Sequence, residues 1–65
     1  MSKLQKIRNS AHMSTAELAK RSGVNERMIQ YYENGYKDIN KAQAITVLKI
    51  ADALGCEVRD LLKEG

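Results

Sequence analysis

Histidine and cysteine, the side chains most readily turned to metal or thiol chemistry, occur once each, and neither has the neighbours such chemistry needs. His12 is the only histidine and Cys56 the only cysteine. Structural zinc takes four ligands of these types, and a nucleophilic thiol needs a base or cation beside it. Cys56 cannot pair within the chain, which fits a reducing setting. The sequence shows no paired carboxylates with an obvious pocket, no Ser/His/Asp set and no Gly-rich phosphate cradle. His12 falls between two predicted helices as an exposed linker residue, and Cys56, directly after Gly55, reads as a small hydrophobe packed at a helix end. With 65 residues, the core consumes nearly all the apolar side chains. That leaves no room for a substrate cavity of about 300 Å³. The reading is a non-enzyme with no catalytic residue, no metal and no cofactor.

Recognition is better supplied. Glu26, Arg27, Gln30, Tyr31 and Asn34 must face outward from a short helix whose inward positions are Val24, Ile29 and Tyr32. That helix is the second of a pair within Ser14 to Gly35. Ser14 with Glu17 at the third helical position spells a capping box for the first helix, which has a narrow apolar face of Met13, Leu18 and Ala19 and stops at Ser22-Gly23. Asn25 caps the second helix, Glu26 suits its positive end, and Asn34-Gly35 ends it. Two helices set at a wide angle by a short glycine-containing turn lift the second clear of the body, where it can enter a DNA major groove.

The rest of the chain supplies the support. It has no proline, and its apolar residues recur at three and four, so the fold class is all-α, a compact bundle of five helices in a single domain over 1–65. Ser2 and Gln5 start the first helix, which buries Leu4, Ile7 and Ala11. Asn40, with Gln43 three residues on, is expected to cap a long fourth helix running through Val47, Ile50, Ala51 and Leu54 to Gly55. Val58, Leu61 and Leu62 sit on a last turn or two that closes the core, and Lys63 to Gly65 should fray. The fourth helix also carries a second apolar row, Ala44, Ile45 and Leu48. That row reads either as a broad buried face or as a self-association surface.

The order L-x-x-I-R, M-S-T-A-E-L-A, S-G-V-N, I-Q-Y-Y-E-N-G and V-L-K-I-A-D-A-L-G-C resembles the helix-turn-helix family of phage repressors, Cro proteins and their bacterial relatives, the xenobiotic-response-element type, across residues 3 to 62. The resemblance implies a lambda-repressor-like fold with the helix from Asn25 as recognition helix. Asn25, Glu26, Arg27, Gln30 and Tyr31 would then face the bases. Arg27 suits guanine O6/N7 and Gln30 suits adenine N6/N7. Glu26 suits either a cytosine amino group or the helix start alone, and Tyr31 either a thymine methyl, a phosphate or the helix surface. Ser14 and Thr15 would clamp one phosphate run at a helix N-terminus, with Asn34, Lys37 and Lys41 on the other side. Thr15 stands where the family commonly has a glutamine reaching both phosphate and recognition helix, and the shorter side chain is expected not to span that distance. The loop Y-K-D-I-N-K-A also departs from the commoner basic, proline-containing loop. Arg8 and Glu33 match a pair that the family places in contact, a structural ion pair.

Net charge is +3, unevenly placed. Residues 1–41 carry eight Lys/Arg against four Asp/Glu, a balance of +4, while residues 42–65 carry three against four, a balance of −1. Positive charge thus accompanies the helix pair, where a phosphate backbone needs it, although a solvated surface of mixed sign has the same composition. There is no apolar run of the roughly 20 residues that span a membrane and no signal-like start, so a cytoplasmic protein is expected, and the resemblance implies a bacterial or phage one associated with the nucleoid. Double-stranded DNA is the expected partner. Dimerisation would use Ile45, Leu48, Val58, Leu61 and Leu62, giving a regulator, a repressor on an inverted repeat. The alternatives are an antitoxin or anti-regulator whose same surface takes a partner protein, and general nucleoid binding, for which +3 is a weak field.

Overall fold

A computed structural model describes residues 2–62. Its helices begin where short polar side chains can replace missing backbone acceptors. Ser2 Oγ accepts from the Gln5 N–H at 3.0 Å, Ser14 Oγ from the Glu17 N–H at 3.0 Å, and Asn25 Oδ1 from the Arg27 N–H at 2.8 Å. These caps open α1 (Lys3–Ser10), α2 (Thr15–Ser22) and α3 (Glu26–Asn34). The Glu17 carboxylate lies 3.5 Å from Arg21, one turn along on the exposed side. Helix α2 stops because Gly23 turns left-handed, φ 74°, and its N–H donates to the Ala19 carbonyl. Gly35 ends α3 in the same way.

Asn40 does not cap the fourth helix. Asp38 accepts from the Asn40 N–H at 2.9 Å and opens a single 3-10 turn, Ile39–Lys41, that buries Ile39. Helix α4 then runs Ala44–Leu54 behind Gln43, which makes no side-chain capping bond. Two cap-forming residues, Asp38 and Asn40, compete over this stretch; Asp38 prevails because its turn puts Ile39 into the core. Helix α5 is the single turn Val58–Leu61, capped by Glu57 and Asp60. The chain is all-helical, with five α-helices among the described residues. The expected fraying of Lys63 to Gly65 lies outside them.

The core is Leu4 of α1, Leu18 of α2, Ile29 and Tyr32 of α3, Ile39, Val47, Ile50 and Ala51 of α4, and Leu61 of α5. Helix α2 packs on both α3 and α4, while α1 packs on α3 and α5. Ile7, Leu54, Val58 and Leu62 pack against the edge of this cluster. Two expectations need correction. Leu61 is only 1 % exposed and belongs to the core, so it drops out of any interaction surface. The second row of α4 is not a buried face, since Ile45 is 54 % and Leu48 46 % exposed and Ala44 is exposed too. Helix α4 packs on α2 and α5 through its other side, and among the described residues that row stays open to solvent. Among the described residues no helix is long and apolar enough to cross a membrane.

Candidate nucleic-acid interface

The turn between α2 and α3 is held by a side chain whose burial periodicity alone does not reveal. Ser22 is buried, and its hydroxyl accepts from the Val24 N–H at 3.2 Å and leans on the Ala19 carbonyl at 3.5 Å. With Gly23 this fixes where α3 sets off. Ile29 and Tyr32 hold α3 from inside, and Met28, absent from the inward set expected of this helix, packs partly against the core beside them. At the far end of α3, Glu33 receives Arg8 Nε on Oε2 at 2.7 Å and Arg8 Nη2 on Oε1 at 3.0 Å. Arg8 Nη1 donates to the Met13 carbonyl at 2.8 Å. The guanidinium therefore joins α1, the approach to α2 and the end of α3. Hydrogen bonding to Glu33 raises the Arg8 pKa, against the opposing effect of burial.

The outward side of α3 is open. Asn25, Glu26, Arg27 and Gln30 line one shallow hollow of about 450 Å³. Arg27 and Gln30 are exposed. Asn25 is exposed as well, but its carbonyl oxygen is occupied by the helix cap, which leaves its amide NH₂ for an outside acceptor. Glu26 is half-buried, and its Oε2 accepts from Thr15 Oγ1 at 2.8 Å. Thr15 thus does reach α3, contrary to expectation, because the residue it meets is a glutamate long enough to close the gap. The threonine's one hydroxyl proton is spent there, so a phosphate at this end would meet the first-turn N–H groups of α2 instead. Ser14 is exposed, with its oxygen capping Glu17.

Tyr31 is half-buried, with its ring set edge-on to Tyr36 at 5.9 Å between centroids. Tyr36 is 79 % exposed, the most solvent-open large apolar side chain of the described residues, and had no place in the expected site. An exposed aromatic directly after the helix-ending Gly35 was the available signal. Asn34, the last residue of α3, and Lys37 and Lys41 beyond it are exposed, and the two lysines border a groove of about 490 Å³ shared with Asp38, Gln43 and Thr46.

Elsewhere, Leu48, Val58 and Leu62 border an apolar groove of about 350 Å³ floored by Ile39 and Val47, with Ile45 exposed on the same helix as Leu48. Cys56 is half-buried, and burial followed by the charge of Asp60 pushes its thiol pKa up. Among the described residues no three His, Cys, Asp or Glu side chains gather in a metal-binding group.

The model of the helix-turn-helix family matches residues 4–61. No curated protein and no solved structure matches the chain. The match spans nearly the whole sequence, and the chain belongs to this family in its xenobiotic-response-element form, a family of DNA-binding transcription regulators.

Proposed function

We propose that this protein binds a short inverted-repeat operator as a symmetric dimer and represses transcription by occupying it. The observation that carries the reading is α3 itself. Its inner side is anchored by Ile29 and Tyr32, its end is tied down by Arg8 and Glu33, and its outer side presents Asn25, Glu26, Arg27 and Gln30 together over one open hollow. Those side chains carry the functional groups that read base edges. Arg27 offers a two-pronged donor for guanine O6/N7, Gln30 a donor and acceptor for adenine N6/N7, and Tyr31 an apolar edge for a thymine methyl. The α2 N-terminus near Ser14 and Thr15, and Asn34 at the end of α3 with Lys37 and Lys41 beyond it, would grip phosphate on the two sides.

A dimer follows from specificity. One recognition helix reads only a few base pairs, whereas two placed about 34 Å apart read both half-sites. In vitro selection from random duplex DNA tests both parts at once. A palindromic consensus is expected, and a reporter promoter overlapping that site should fall silent when the protein is expressed. Failure to enrich any sequence, or enrichment of random and selected DNA alike at 150 mM salt, would remove the reading.

The exposed Ile45 and Leu48 favour a second reading, in which the same apolar row takes a partner protein and the chain serves as an antitoxin or anti-regulator, with or without DNA. A pull-down yielding one stoichiometric partner, together with a monomeric free protein, would favour it over the homodimer.

A further inference from the structure

Thr15 and Glu26 open α2 and α3, and the turn between those helices brings their side chains together, Thr15 Oγ1 donating to Glu26 Oε2 at 2.8 Å. Taking α3 as the base-reading helix, as proposed above, we infer that Glu26 selects cytosine at one position of each half-site and that Thr15 is the positioning residue that holds it there. The first step is polarity. A carboxylate has only acceptors to offer, and the hydrogen bond donated by the Thr15 hydroxyl occupies one of its oxygens, so Glu26 presents acceptors alone to the groove. Only cytosine N4 and adenine N6 offer donors on the major-groove edge, while guanine and thymine present O6, N7 and O4, which repel a carboxylate. Adenine carries its N7 acceptor beside N6, whereas cytosine carries only a C5–H beside N4. A fixed carboxylate therefore discriminates against three bases and accepts one.

The second step is order. Glu26 is half-buried against α2, and Thr15 ties one oxygen, so a long side chain that would otherwise sample many rotamers is restricted before DNA arrives. Arg27, exposed and next in sequence, and the N-terminal end of α3, in whose first turn Glu26 lies, contribute positive charge to the same end of the helix. This makes its approach to a phosphate-rich groove tolerable. Glu26 thus costs general affinity and returns base choice.

The test uses the full chain and the DNA site it selects. Binding is compared on four duplexes differing at a single base pair, for the wild type and for Thr15→Val, Thr15→Ser and Glu26→Gln. The position is identified as the one whose preferred base Glu26→Gln changes. The wild type should prefer cytosine there. Thr15→Val, isosteric but without the hydroxyl, should lose about tenfold of that preference, the scale of one good base contact. Thr15→Ser should restore it, and Glu26→Gln should move it to adenine, which glutamine bonds through N6 and N7. Preferences at the remaining positions should persist in all three variants, and melting curves establish that each is folded. An undiminished cytosine preference in Thr15→Val, loss in Thr15→Ser equal to that in Thr15→Val, or a uniform loss across all positions would overturn the inference while leaving α3 as reader. A wild type that selects no sequence would overturn both.

Discussion

Arg8 commits three nitrogens to protein acceptors, two to Glu33 and one to the Met13 carbonyl, with only 12 % of its side chain and 5 % of that of Glu33 left exposed. Such a pair contributes little net stability over a well-packed apolar equivalent, yet breaking it strands a desolvated charge. Arg8→Met should therefore lower the unfolding free energy by about 3–5 kcal/mol in a urea titration. Adding Glu33→Leu should recover much of that loss, whereas an unchanged melting temperature for Arg8→Met would refute the role. The two partners were foreseeable from the family resemblance, but the bond to Met13, which ties the pair to the start of the helix pair, was not, because backbone carbonyls carry no sequence signal. Cys56 offers a second residue-scale expectation. Its pKa is raised by burial and by Asp60, so less thiolate is present at neutral pH than in a free thiol. Alkylation of the native protein should run slower than that of a cysteine peptide and accelerate on unfolding; equal rates would show Cys56 to be open.

The capping residues of α1, α2 and α3 and the stopping residues of α2 and α3 were readable because each acts within three or four residues of itself, as with Ser14 and the Glu17 N–H. Gly23 gives the sharpest element-scale test. A Cβ built there meets nothing within 4 Å, so any penalty comes from φ 74° alone. Gly23→Ala should cost about 1–2 kcal/mol, and Gly23→Asn less, since asparagine tolerates the left-handed region. Equal midpoints for glycine and alanine would mean that the turn relaxes. His12 holds the same backbone region at φ 58°, between α1 and α2. There His12→Gly should gain stability, by less than about 1 kcal/mol once the looser unfolded chain is counted. What stayed hidden depends on distant partners. Asn40 and Asp38 are both good caps, and the choice between them rests on whether Ile39 finds a place in the core. Ser22 looked like a stop signal and is also a buried hydrogen-bonding group. Met28 lies at the margin of the apolar arc of α3, where period alone leaves inside and outside undecided.

For the whole molecule, the net charge of +3 gives only a weak general attraction to DNA, so the proposed dimer would add affinity by joining two reading helices on one site. Leu61 drops out of the expected contact surface because it is buried, and the reason it was included is length. A four-residue α5 is too short for its apolar pattern to separate Leu61, which is buried, from Val58 and Leu62, which border the groove. What remains exposed is Ile45 and Leu48, and their solvent exposure makes a clean experiment possible. Replacing both by serine removes little that the folded monomer uses, so the melting temperature should hold within a stability change of about 0.5 kcal/mol. If the row joins two copies, sedimentation should shift from dimer to monomer mass, and affinity for the palindrome should fall toward that for a half-site. Each neutralised phosphate contributes about −0.9 to the slope of log K against log salt, so losing one copy should also halve that slope. A double variant that still sediments as a dimer, or keeps the full salt slope, would place the interface elsewhere. A wild type that is monomeric both free and on DNA would leave the row to a partner protein.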